Sequence, residues 1–120
     1  MQGEYQLEFI QRMWNTKQKG ENMSGERFDN GYIKDSSSRT LGRLDGVYIK
    51  DSSSRTLGRV DGIYIKDSSS RTLGRIDGDY VKDSSSRTLG RVRDYTIRGM
   101  EREKDVTIVA AYHFLVKKIF

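Results

Sequence analysis

The chain has no cysteine and no proline, a single histidine, and few apolar residues. The missing cysteine excludes a disulfide frame and any thiolate metal site, and leaves the redox compartment open. The missing proline suits a chain of regular ladders and short turns. Apolar residues make up 34% of the chain and charged residues 32%, a balance that would leave it disordered if spread evenly. The longest apolar block, Val106 to Val116, falls short of the roughly 20 residues that a membrane-spanning helix needs. The N-terminal MQGEYQLEF has neither the basic start nor the unbroken apolar stretch of a signal peptide. These absences predict one small domain in the cytoplasm, with peripheral attachment to a membrane as the variant.

What is present is a repeat, and the apolar residues sit at fixed places in it and in one C-terminal block. YIKDSSSRTLGR begins at Tyr32, Tyr48 and Tyr64, and YVKDSSSRTLGR begins at Tyr80, so the period is 16. Sixteen residues are too few for a helical pair and suit one β-hairpin plus a connection. In the second unit, Val47 to Lys50 reads as the first strand, Asp51 to Arg55 as the turn, and Thr56 to Val60 as the second strand. Asp61-Gly62 leads into the next unit, because Gly accepts positive φ and Asp bonds its own backbone. A three-residue loop, Ser52 to Ser54, pairs Ile49 with Leu57 on one face and sets Tyr48 over Gly58. It requires Ser54 to be left-handed. A two-residue loop is the rival, and it sends Leu57 to the opposite face.

The flanks keep the same period. Arg27-Phe28-Asp29 precedes Arg43-Leu44-Asp45 by 16 residues, and Thr96-Ile97-Arg98 follows Tyr80-Val81-Lys82 by 16. The chain thus opens with an orphan second strand and closes its repeats with an orphan first strand. Joined, they make a fifth petal, predicting ten short strands in a shallow barrel without free edges. The C-terminal block is apolar on nearly all sides, as a buried helix is, and a barrel of that width needs a filler. Its β-branched residues leave a strand open as the alternative. The expected organisation is a non-repeat segment 1–24, a hairpin-repeat barrel 25–100 and a C-terminal helix 101–120. Within the first segment, Leu7, Phe9, Ile10, Met13 and Trp14 have the spacing of an amphipathic helix.

The YIKDSSSRTLGRIDG repeat followed by an apolar C-terminal segment resembles the β-flower proteins of bacteria, over roughly Gly25 to Phe120. That resemblance implies a shallow, rotationally symmetric β-barrel. In shape it is similar to the tubby C-terminal-like superfold, in which a barrel encloses a hydrophobic helix and binds membrane phosphoinositides. No motif of that superfold's lipid contacts is matched here, so the likeness implies shape alone.

Catalytic chemistry would need a local exception to the repeat. His113 lies in the apolar block and reads as a core residue, and the serine triplets read as turns without a base beside them. Asp35, Asp51, Asp67 and Asp83 each precede an Arg by four positions, which neutralises the carboxylate rather than offering it to a metal. No cofactor, metal or enzymatic activity is expected, and no nucleic-acid signature appears. The net charge of +5 favours an anionic partner. Symmetry turns single cations into rings: Arg39, Arg55, Arg71 and Arg87; Lys34, Lys50, Lys66 and Lys82; and Arg43, Arg59, Arg75 and Arg91, the last two rings being the candidate anion-binding residues. The function expected is a non-catalytic binding module with a basic rim for an anionic ligand or lipid headgroup. The alternative is a structural ring that mates with another protein.

Overall fold

The computed structural model describes residues 25–120. The helix expected on Leu7 to Trp14 lies outside the described residues. Nine strands follow one another along the chain: β1 (Arg27–Asp29), β2 (Tyr32–Lys34), β3 (Thr40–Asp45), β4 (Tyr48–Asp51), β5 (Thr56–Asp61), β6 (Tyr64–Asp67), β7 (Thr72–Asp77), β8 (Tyr80–Asp83) and β9 (Thr88–Arg91). Each pairs antiparallel with the next, in one meandering sheet.

Two kinds of turn alternate. Asn30 (φ 54°) and Gly31 (φ 92°) join β1 to β2 with both central residues left-handed, as a type I′ turn requires. The later Asp-Gly turns place only the glycine there, with Gly46 at φ 61° between the paired Asp45 and Tyr48. The DSSSR loops lie at the other end of the hairpins. In each, the last serine is left-handed as the three-residue loop demands: Ser38, Ser54, Ser70 and Ser86 have φ of 65° to 68°.

The expected register holds next to this loop and slips beyond it. Lys50 faces Thr56, but a bulge then sets Ile49 opposite Gly58 and Tyr48 opposite Arg59. Tyr48 therefore does not cover Gly58. It lies on the outer face with Tyr32, Tyr64 and Tyr80, all of them exposed. The bulge absorbs one residue without turning the leucine away from the core: Leu41, Leu73 and Leu89 pack against the buried clusters with Ile33, Ile65 and Val81.

The core is five-fold. Ile33, Ile49, Ile65, Val81 and Ile97 recur at the period of 16 and are all buried, with Ile97 at 3% exposure. The fifth petal is nonetheless incomplete. Where the earlier repeats have Asp-Gly, this one has Arg93-Asp94, and Val92–Tyr95 forms a 3-10 turn whose Asp94 carboxylate accepts the Arg91 N–H at 2.9 Å. The two flanks of the repeats meet through one isolated parallel bridge, Arg27 to Arg98, with the Phe28 N–H donating to the Arg98 carbonyl at 2.7 Å. The described residues thus form nine strands rather than ten, and the sheet is not closed as a barrel.

Residues 106–116 are helical, not extended. α1 (Asp105–Ala111) continues into one wide π-turn, Tyr112–Val116, closed by the Lys117 N–H donating to the Tyr112 carbonyl. Val106, Val109 and Ala110 pack against Ile49, Val60, Ile65, Ile76 and Val81, whereas Ile108 and Ala111 meet Ile33, Ile97 and Met100. A helix with apolar neighbours on two sides is how so polar a chain closes its core. The strand glycines let this C-terminal segment approach: Leu115 sits over Gly42, Phe114 over Gly58 and Phe120 over Gly74.

Candidate functional site

Each DSSSR loop is built around its aspartate. In the second unit, Oδ1 of Asp51 accepts the backbone N–H of Ser53 (2.9 Å) and of Arg55 (3.0 Å), and Oδ2 accepts Nε–H of Arg55 at 3.0 Å. The backbone closes beneath it, the Ser54 N–H donating to the Asp51 carbonyl. The same set recurs about Asp35, Asp67 and Asp83. The Arg backbone N–H above all, with the serine N–H and the guanidinium, holds all four carboxyls below the usual aspartate range against an opposing loss of hydration.

This geometry fixes the arginine. Arg39, Arg55, Arg71 and Arg87 are tethered through Nε, and their side chains remain 81% to 82% exposed. Their Nη groups make no hydrogen bond within the described residues and point from one rim in four copies.

The other two rings are more occupied. Lys34, Lys50, Lys66 and Lys82 lie on the outer wall and reach Asp29, Asp45, Asp61 and Asp77 at 3.8, 3.1, 3.5 and 3.2 Å. Arg43 donates to the Ser54 hydroxyl at 3.4 Å and approaches Asp45, and Arg75 donates to that of Ser86 at 3.0 Å. Arg91 lies over the Tyr80 ring and bonds its hydroxyl. In Arg59, Nη1 is buried with no hydrogen-bond partner. Sequence reasoning missed a fifth member of the Arg43 ring: Arg27 donates to the Ser38 hydroxyl at 3.0 Å, the role that Arg75 has. The match of Arg27-Phe28-Asp29 to the repeats carried that signal. The units beginning at Tyr32 and Tyr48 each hold three cations against two carboxylates, whereas Asp79 makes the third unit neutral and Arg93 adds a fourth cation to the last.

His113 is 7% exposed, and burial, aided by the Lys118 charge, lowers its pKa from 6.5 to about 4. Its Nδ1 accepts the backbone N–H of Ile119 (3.0 Å) and of Phe120 (3.3 Å), which hooks the C-terminus back onto the helix. That is an architectural task. No group of His, Asp or Glu able to hold a metal occurs among the described residues, and no described helix is long and apolar enough to cross a membrane.

A family model described as five-fold beta-flower protein matches residues 13–115. No curated protein and no solved structure matches the chain.

Proposed function

The chain belongs to the five-fold β-flower family, and from that premise we propose that it is a non-catalytic binding module whose basic rim engages an anionic ligand or lipid headgroups. The observation that carries this reading is the repeated pose of Arg39, Arg55, Arg71 and Arg87. One carboxylate orients each guanidinium by a single bond and leaves its outer N–H edge free. A side chain held this way loses less freedom on binding than a solvated one, and Arg offers the planar fork that suits phosphate and carboxylate. Near an anionic surface each cation contributes on the order of 1 kcal/mol, so four in one rim act together. The wall that presents them is, in this reading, a five-petal barrel with α1 as its plug. The five-fold series Ile33 to Ile97 and the Arg27–Arg98 bridge support that closure.

Sedimentation with vesicles tests the proposal. Binding to vesicles containing acidic lipid, weakened by salt and by R39Q/R55Q/R71Q/R87Q, is the expected result. Equal binding to neutral vesicles, or a variant that binds as well as the parent, would sink it.

One observation favours the second reading, a ring that mates with another protein. Val47 and Ile63 stand exposed at the Asp-Gly turns, the end of the hairpins away from the arginines, beside exposed Tyr48 and Tyr64. Small apolar tips ringed by tyrosine suit a protein interface. Failure to bind acidic vesicles together with retained capture of a purified partner, lost in V47K/I63K, would favour it.

A further inference from the structure

We infer that the cleft beside the Asp67–Arg71 loop binds an anionic amphiphile, a single apolar chain ending in a carboxylate or phosphate. The inference rests on the rim reading in one respect, since Arg71 belongs to that rim. It adds a floor and a ligand class.

The cleft encloses about 500 Å³, within the roughly 300–1,000 Å³ of small-molecule sites. Its floor is made by Leu73 of β7 with Phe114 and Leu115 of the π-turn, all of them half-buried. Its edge carries Arg71, Lys117 and Lys118. The one acid on the lining is Asp67, and its oxygens already accept the N–H groups of Ser69 and Arg71 and the Arg71 Nε–H. Neither Lys117 nor Lys118 makes an ion pair among the described residues. Three cations therefore face one apolar floor with no free counter-charge.

Each half of this lining selects against a simpler ligand. An inorganic anion would satisfy the cations and leave Leu73 and Phe114 wet. A neutral lipid would cover the floor and bring nothing to the charged edge. A chain with one anionic end meets both demands.

The loop occurs four times, and at Asp67–Arg71 it lines a cleft together with the C-terminal arm. Phe120 lodged over Gly74 and the two N–H bonds to His113 hold that arm in place. The repeats thus supply a generic cationic loop, and the unrepeated arm makes one copy a pocket.

Methyl resonances of Leu73 and Leu115 followed against sodium decanoate, kept below its micelle-forming concentration, give the test. The expected result is saturable shifts at both residues. K117Q/K118Q, altered at exposed positions and still folded, should bind on the order of tenfold more weakly. Acetate, the head group without the chain, should not saturate them. Acetate acting as strongly as decanoate, or K117Q/K118Q binding decanoate like the parent, overturns the inference.

A free amphiphile and a lipid within its bilayer offer the same chemistry. Decanoate that displaces the protein from acidic vesicles supports the lipid as the source, and decanoate that binds without displacing it supports the free species. The two readings fail separately. Salt-sensitive vesicle binding without any response to decanoate overturns the cleft and leaves the rim. Decanoate binding alongside vesicle binding that ignores R39Q/R55Q/R87Q overturns the rim and supports the cleft.

Discussion

The ring of Phe114 occupies the space that a side chain on Gly58 would need, and the carbonyl oxygen of Lys66 closes that space from the neighbouring strand. Leu115 and the Lys50 carbonyl stand in the same relation to Gly42, and Phe120 and the Lys82 carbonyl to Gly74. At Gly90 the cover comes from Tyr95, whose hydroxyl donates to the Leu89 carbonyl at 3.0 Å. These glycines are required by closeness of approach, not by their backbone angles.

Gly58→Ala should therefore cost about 3 kcal/mol, the upper part of the usual range for overpacking. Gly46 has φ 61° with nothing near a would-be Cβ, so Gly46→Ala should cost only about 1–2 kcal/mol of backbone strain. Adding Phe114→Ala to Gly58→Ala should not restore stability, because the Lys66 carbonyl remains. Urea denaturation that ranks Gly46→Ala as the more harmful would contradict this account.

The incomplete fifth petal should still bear weight in the core. Ile97 is as covered as its counterpart Ile49, so Ile97→Ala and Ile49→Ala should each lose about 2–5 kcal/mol. An Ile97 variant melting like the parent would mean that the bridge at Arg98 closes nothing.

The loop serines store backbone strain in four copies. Ser38, Ser54, Ser70 and Ser86 are left-handed, a conformation costing an L-residue roughly 1–2 kcal/mol that glycine avoids. Changing all four to Gly should raise the melting temperature, although glycine's extra freedom in the unfolded chain offsets part of the gain. A lower melting temperature would show that the hydroxyls accepting from Arg43 and Arg75 matter more than the strain.

Acid should destabilise the protein in two separate pH windows. The unfolded chain protonates its histidine below about pH 6.5, whereas folded His113 resists until about 4. The histidine's part of the stability must then fall as pH drops from 6.5 to 4 and level off below that. The loop aspartates are shifted the other way. Their folded pKa values lie under 3.8, so their contribution is present above that pH and is lost as pH falls through the lower folded values. His113→Leu should lose about 1–3 kcal/mol near neutrality by stranding the Ile119 and Phe120 N–H groups. It should also flatten the upper step alone. Melting temperatures from pH 3 to 8 that keep this step in the variant would place its origin elsewhere.

Much of the fold was legible because the period made each local signal recur. Asp-Gly marked the two-residue turns, DSSSR marked the left-handed loop serine, and the apolar block marked the helix. The bulge was not legible: spacing places Ile49 and Leu57 on one face, and a shift of one residue beside them leaves that pattern intact. Nor was the cover of Gly58, since Phe114 is 56 residues away along the chain and nothing in the repeat names it. The tenth strand failed at a visible place, where Arg93-Asp94 replaces the Asp-Gly that would have turned the chain. For the candidate rim, the sequence pointed to the Lys34 and Arg43 series and passed over the loop arginines. Only side-chain geometry shows that aspartates occupy the lysines while the loop arginines stay exposed.

Four copies of DSSSRTLGR confront the folding chain with an addressing problem. A hairpin displaced by one whole repeat would find the same partners, the same turns and the same register, so pairing alone cannot tell position two from position three. The covers over the glycines can. Leu115, Phe114 and Phe120 differ in shape and arrive in fixed order from one short segment, so they act as a key read against otherwise identical locks. A slipped or intermolecular pairing would leave that key misfitted. Discrimination between the native sheet and its near-copies therefore resides in a segment that follows the repeats along the chain, and a nascent chain that has completed only its repeats has no means of counting them.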